Sequence, residues 1–155
     1  MPKPASSWRF GACAVAALVH DVLVVVGIFS LLGHFYQVEV DTLFITAILT
    51  VIGFSVHDTI VVFDRIRENL KRMPSASFPQ VVNESILQTL IRSLNTSVTV
   101  VLVLLALLLM GGTTLRWFVA ALLVGVISGT YSSIFNASPL LVVWQEWSQK
   151  RSSRS

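Results

Sequence analysis

The sequence predicts an all-α membrane protein: four transmembrane helices, with one amphipathic interfacial helix between helices two and three. Three observations carry this. Only 12% of the 155 residues are charged and 54% are hydrophobic, whereas a soluble domain carries roughly 25% charged residues. Four apolar stretches each approach the ~20 residues that crossing a bilayer requires. The apolar residues also come in continuous runs. A transmembrane barrel would need many alternating strands of ~10 residues, and a lone strand would leave its backbone unpaired in hydrocarbon.

The first span covers about 10–32, after a short tail at 1–9. Lys3 and Arg9 precede it as they would in a signal peptide. The run exceeds the ~7–15 apolar residues of a signal core and contains His20 and Asp21, so it reads as a retained helix. The second span covers about 42–63. Residues 64–92 form a different kind of segment, broken by Pro74, Ser75, Ser77 and Pro79. Beyond these, Val82, Ile86 and Leu90, with Leu87 and Ile91, recur at helical spacing, and Glu84, Gln88 and Arg92 recur on another face. That pattern fits a helix lying on the membrane surface before the chain turns in. The third span covers about 93–110 and the fourth about 117–143, followed by a basic tail at 144–155.

An even number of spans puts both termini on one side, together with segment 64–92. That side holds ten of the 11 Lys and Arg residues, leaving only Arg116 opposite. The positive-inside rule makes the ten-residue side cytoplasmic. The four Trp residues, Trp8, Trp117, Trp144 and Trp147, fall near predicted helix ends, where interfacial aromatics belong. The net charge of +3 follows helix ends and forms no aromatic-interleaved patch, so no nucleic acid partner is expected. A single cysteine, Cys13, excludes an intrachain disulfide and a cysteine metal cluster. No phosphate loop, metal-spaced cluster or nucleophile–base set is present, so neither enzyme chemistry nor a cofactor is expected.

The informative residues are the polar ones inside apolar spans, where an Asp or Arg at a helix centre costs roughly 2.5–3.5 kcal/mol on insertion scales. They are His20 and Asp21 in span one, His57 and Asp58 in span two, and Arg92 at the edge of span three. At about 1.5 Å per residue, Asp58 lies roughly 24 Å below Thr42, and Arg92 roughly 27 Å from Met110 on an antiparallel helix. The two share a level and can meet. They either form a structural ion pair, or leave Arg92 to snorkel to the interface, or form a proton-responsive pair. In the last case burial disfavours the charged carboxylate, an adjacent guanidinium favours it, and an arriving proton loosens the pair. Arginine keeps its proton, so Asp58 is the group that titrates. His57 points about 100° away around the helix. Asp21, about 17 Å below Leu32, is read first as a hydrogen-bonding partner of a neighbouring helix. Gly125 and Gly129 form a small-xxx-small pattern continued by Ser133, which lets helix backbones approach closely. Ser128, Thr130, Ser132 and Ser133, and Asn95, Thr96, Ser97 and Thr99, either pack or line a wet path.

Residues 49–69, LTVIGFSVHDTIVVFDRIREN, closely resemble the signature LTxxGYSxNDTxVxFDRIREN of the SecF family of protein-export membrane proteins. Arg92-Ser93-Leu94-Asn95-Thr96-Ser97 resembles the family's RTxNTS, residues 125–139 resemble its final helix, and His20-Asp21 matches its HD. The likeness runs from about Trp8 to Leu141. It implies a subunit of the Sec machinery in the bacterial inner membrane, related to the RND superfamily. Such a subunit works with SecD beside the SecYEG channel and uses the proton-motive force to draw out preproteins that SecA has driven in. Protons and membrane lipids are then its other partners. The family's functional acid falls on Asp58 and its functional arginine on Arg92, with His57, Asp21, Asn95 and Thr96 as supporting polar residues. Phe54, His57 and Ser93 depart from the family's Tyr, Asn and Thr. The family's first two helices and its extracytoplasmic domain have no counterpart in this sequence. Two alternatives therefore stand beside the first reading: a truncated, non-transporting bundle that only associates with the translocon, and a fragment of another RND-type transporter.

Overall fold

The computed structural model describes residues 7–152. Helix α1 spans Ser7–Tyr36, α2 Thr42–Arg72, α3 Phe78–Met110, α4 Thr113–Ser132 and α5 Ser138–Ser152, with a π-helical turn, Ser133–Ala137, joining the last two. Four helical rods are long and apolar enough to cross a membrane, the fourth being α4, the π-turn and α5 together. Lys3 and Arg154, at the two expected tails, lie outside the described residues.

Local chemistry sets the ends. Asp41 caps α2 by accepting the Phe44 N–H at 3.0 Å. Ser77 and Gln80 open α3, with the Ser77 N–H donating to Gln80 Oε1 at 2.9 Å. Pro79 lies in its first turn, where a missing N–H is harmless. Gly111 closes α3 by donating to Leu107 O at 2.7 Å, and a Cβ there would strike that same carbonyl.

The separate interfacial helix is not present. Residues 78–92 are the first half of α3, continuous with the third span, and α2 likewise continues nine residues past the expected end at 63. The physical reason is that nothing between Pro79 and Met110 interrupts the helix, and the two extensions hold each other. Asn69 Nδ2 donates to Ser85 Oγ at 2.9 Å and to Gln88 Oε1 at 3.0 Å. Arg65 Nε also donates to Gln88 Oε1, at 2.7 Å. The expected basic tail is likewise helical, through Ser152. Arg9 ties it to α1 by donating to Gln145 Oε1 and Ser148 Oγ, both at 2.7 Å, and Trp8 packs edge-on against Trp144.

The core is layered along the bundle axis. At the end carrying the described termini, Phe10, Cys13, Ala17, Val62, Phe63, Ile66 and Leu141 form one apolar cluster. At the opposite end Val25, Phe29, Phe44, Ala47, Val51 and Ala121 form another. Between them lies a belt of buried polar residues: Asp21, Ser55, Thr59, Ser97, Thr130, Ser132 and Ser133. Small residues at four-residue spacing make this belt possible, because they let backbones close enough for short side chains to bond across. Gly129 faces Ser55, whose Cβ would stand 3.4 Å from an added methyl.

The fourth rod breaks where Pro139 approaches. Proline supplies no N–H, and its ring clashes with the carbonyl four residues back. The helix widens instead into the π-turn, and the Ser138 hydroxyl donates to Ser133 O at 3.3 Å. Such widened turns are frequent at functional sites.

Candidate functional site

Asp58 sits on the α3-facing side of α2. Its Oδ1 accepts the Ser93 hydroxyl at 2.8 Å. Its Oδ2 is buried and has no hydrogen-bond donor. The Ser133 hydroxyl of the π-turn donates to Gly129 O at 2.9 Å. Asp58 also opens onto a cleft of about 50 Å³, lined by Phe54, His57, Val61, Arg92, Ser93 and Thr96. A volume of that size holds water.

The expected contact between Asp58 and Arg92 is not made. No ion pair joins them, and Arg92 is exposed on the bundle surface while lining the mouth of the cleft. One residue is about 100° of helix rotation, so the position that faces α2 is Ser93, and Arg92 turns outward. His57 is exposed at the same mouth. Thr96 lines the cleft, and its hydroxyl bonds back to Arg92 O at 3.0 Å. Asn95 is exposed and does not line the cleft.

Asp21 occupies a different setting. It is fully buried, and its Oδ2 accepts hydroxyls from Ser55 and Ser132, the latter at 2.8 Å. Its Oδ1 accepts the Ser128 hydroxyl at 3.3 Å and lies 3.3 Å from His20 Nδ1. One carboxylate thus joins α1 to α2 and α4. Farther round the belt, Ser97 and Thr130 bond at 2.6 Å, and Thr59 bonds Ser133 at 3.0 Å. The adjacent residues Ser132 and Ser133 therefore bond to α1 and α2 respectively.

Sequence reasoning picked out the stripe of serines on helix four. It missed Ser55 and Thr59 as their partners, and it missed the π-turn. The four-residue recurrence Val51, Ser55, Thr59 was the available signal for the first, and Pro139 inside an apolar run for the second.

The family model described as protein export membrane protein SecD/SecF, C-terminal, matches residues 6–147. The protein translocase subunit SecF of Thermobaculum terrenum is 65% identical over 143 residues, covering 92% of this chain and 45% of that protein. SecF of Anaerolinea thermophila is 53% identical, covering 92% of this chain and 47% of its own length. The SecDF subunit of Thermus thermophilus is 46% identical over 89% of this chain and 18% of that protein. A crystal structure of SecDF in a super-membrane-facing form matches with a TM-score of 0.88 at 44% identity, covering 96% of this chain and 20% of that one. The chain spans about half the length of the SecF relatives it matches.

Proposed function

The chain belongs to the SecD/SecF family of protein-export membrane proteins, and from that premise we propose that it is the proton-responsive membrane part of a SecF-type translocase subunit. Its partners in this reading are SecD, the SecYEG channel with SecA, and the preproteins they move. The observation that carries the proposal is Asp58 itself: a carboxylate with one oxygen bonded to Ser93, the other buried and bare, and a water-sized cleft beside it. A buried acceptor without a donor is unfavourable by roughly 1–3 kcal/mol, and by more when charged. A proton reaching that oxygen through the cleft would relieve this cost.

Arg92 belongs to the same proposal in a changed role. Arg92, at the cleft mouth, shares an exposed face of α3 with Asn95, Thr96 and Thr99, which supports a protein neighbour in preference to lipid, since arginine toward hydrocarbon is expensive. SecD, the related half named in the fused relatives, is the neighbour we propose. The bias of ten basic residues to one supports cytoplasmic termini and a cytoplasmic α2–α3 turn in the bacterial inner membrane. Replacing Asp58 by Asn keeps the shape and removes the titrating group. Proton-driven export of a preprotein into membrane vesicles, with SecD supplied, should then fall to the level seen without a proton gradient. Export at the unaltered rate refutes the assignment.

A further inference from the structure

We propose that a cleft between α1 and α2, at the end of the bundle carrying the described termini, holds one phospholipid with an amine-bearing zwitterionic headgroup. The cleft measures about 240 Å³. Its inner part is apolar, lined by Phe10, Gly11 and Ala14 of α1 and by Ile60 and Phe63 of α2. Phe10 and Phe63 are buried and packed edge-on, their ring centroids 5.2 Å apart. Gly11 leaves the α1 wall open, since a Cβ there would meet nothing within 4 Å. Polar lining is confined to the outer end: Ser7 at the start of α1, and Asp64 and Arg67 just beyond the expected second span. At about 1.5 Å per residue, Ala14 lies roughly 10 Å deeper than Ser7. A site apolar at depth and charged at its mouth matches an amphiphile entering from the bilayer. The Trp8 and Trp144 rings, 5.9 Å apart at the same end, are the aromatics expected at an interface.

The two charges select the headgroup. Side chains three or four apart on a helix are neighbours, and in α2 Arg65 and Arg72 both pair with Glu68, at 2.5 and 2.7 Å. Asp64 and Arg67 have opposite charge and the same spacing, yet they form no ion pair. The Arg67 guanidinium lies instead over the Phe10 ring, 4.8 Å from its centroid, within cation–π reach. Among the described residues, Asp64 has no hydrogen-bond or ion-pair partner, and Arg67 has none beyond Phe10. A guanidinium takes phosphate through paired N–H donors. A carboxylate accepts from a primary ammonium, which carries three donors. One of each at a single mouth fits a phosphate and an ammonium on one molecule, the chemistry of a phosphatidylethanolamine. A purely anionic headgroup would satisfy Arg67 and leave Asp64 facing it, and a quaternary ammonium has no N–H to give. Asp58 faces α3 across a different cleft, so this site is independent of proton coupling.

Native mass spectrometry of the full chain tests this by titration in detergent with dioleoyl phosphatidylethanolamine, phosphatidylcholine or phosphatidylglycerol. One phosphatidylethanolamine should bind about tenfold more tightly than either other lipid, because both lack the charge-assisted bond to Asp64. Asp64→Asn should level the three. Arg67→Gln should weaken all three roughly tenfold. Gly11→Leu fills the open space and should abolish the tight site for every headgroup. The three positions are exposed, so the fold should stand, and circular-dichroism melts verify it. Phosphoethanolamine without acyl chains should not compete. Equal weak binding of all three lipids by the unaltered protein overturns the proposal and leaves the cleft to a neighbouring protein helix. A preference for phosphatidylethanolamine that survives Asp64→Asn, tight binding that survives Gly11→Leu, or full competition by phosphoethanolamine each overturns it as well.

Discussion

Of the glycines in the described residues, Gly125 is the one pressed most closely by another helix, α2 against α4, and one methyl group tests that approach. A Cβ added at Gly125 would fall within the Val51 side chain, overlapping both γ-methyls. Val51 is itself buried in the apolar cluster with Val25, Phe44 and Ala121 and has no free space to enter. At Gly129, one turn on, the nearest atom to an added Cβ is the Ser55 Cβ at 3.4 Å, an ordinary contact. Overpacking a close-packed core costs about 1–3 kcal/mol. The usual helix-propensity gain of alanine over glycine offsets little of this, because the separated helices in a bilayer are already fully hydrogen-bonded. Gly125→Ala should therefore lose about 2 kcal/mol, a roughly 30-fold change in the folded-to-unfolded ratio. Gly129→Ala should stay within about 1 kcal/mol of the parent. Adding Val51→Ala to Gly125→Ala removes both γ-methyls but leaves the Val51 Cβ 2.9 Å from the new one, so recovery should be partial. Reversible unfolding in bicelles reads the parent, these three variants and Val51→Ala alone, and the double-mutant cycle isolates the pair. Equal losses at 125 and 129, or no recovery with Val51→Ala, refute the account of close approach.

Two further outcomes follow from the polar belt. Asp21→Asn sets an amide NH2 against hydroxyls that now donate to a carboxylate, so the bundle should lose about 1–3 kcal/mol in the same unfolding assay. Unchanged stability would mean that the serines do not hold Asp21. Arg92→Leu should separate stability from activity. Arg92 has no ion pair within the bundle, so stability of the chain alone should be unchanged, and membrane insertion should improve by up to about 3 kcal/mol, while proton-driven export with SecD is lost. A destabilised bundle would show that Arg92 has an internal partner after all.

The count of spans and their approximate centres were legible because apolar run length reports directly on the bilayer. Helix ends were not, because hydropathy measures where lipid stops and a helix continues until something breaks it. Thus α2 runs to Arg72 and α3 starts at Phe78, where Pro74 and Pro79 intervene. The expected interfacial helix came from reading its apolar residues as its packing face. In this bundle the buried line of α3 is Val82, Ser85, Thr89, Ser93 and Ser97, while Leu87 and Ile91 point outward. Inside a membrane bundle small polar residues make the interface and large apolar ones meet lipid, the reverse of a soluble helix. The same limit applied to the site. Rise per residue places Asp58 and Arg92 at one level, but azimuth decides which side chain faces α2, and one step of rotation gave that place to Ser93. The π-turn had a signal in Pro139, which marks a break in the helix but not the form that the break takes. It emerges from Pro139 together with the bonds that Ser133 and Ser138 make.

Helices α1 and α2 each carry a Val-His-Asp sequence within an apolar span, at Asp21 and Asp58, and the difference between the two acids lies wholly in what surrounds them. Asp21 is engaged on both oxygens by hydroxyls from two other helices, so a proton there would convert an acceptor into a surplus donor among donors. Asp58 has one hydroxyl on one oxygen and nothing on the other, so a proton there breaks no bond. The first arrangement favours a single geometry and serves to lock α1 to its neighbours. The second leaves one oxygen bare next to a cleft large enough for water. Two chemically identical side chains thus differ in their surroundings alone; in the proposed reading the sealed one holds the bundle and the bare one lets it respond.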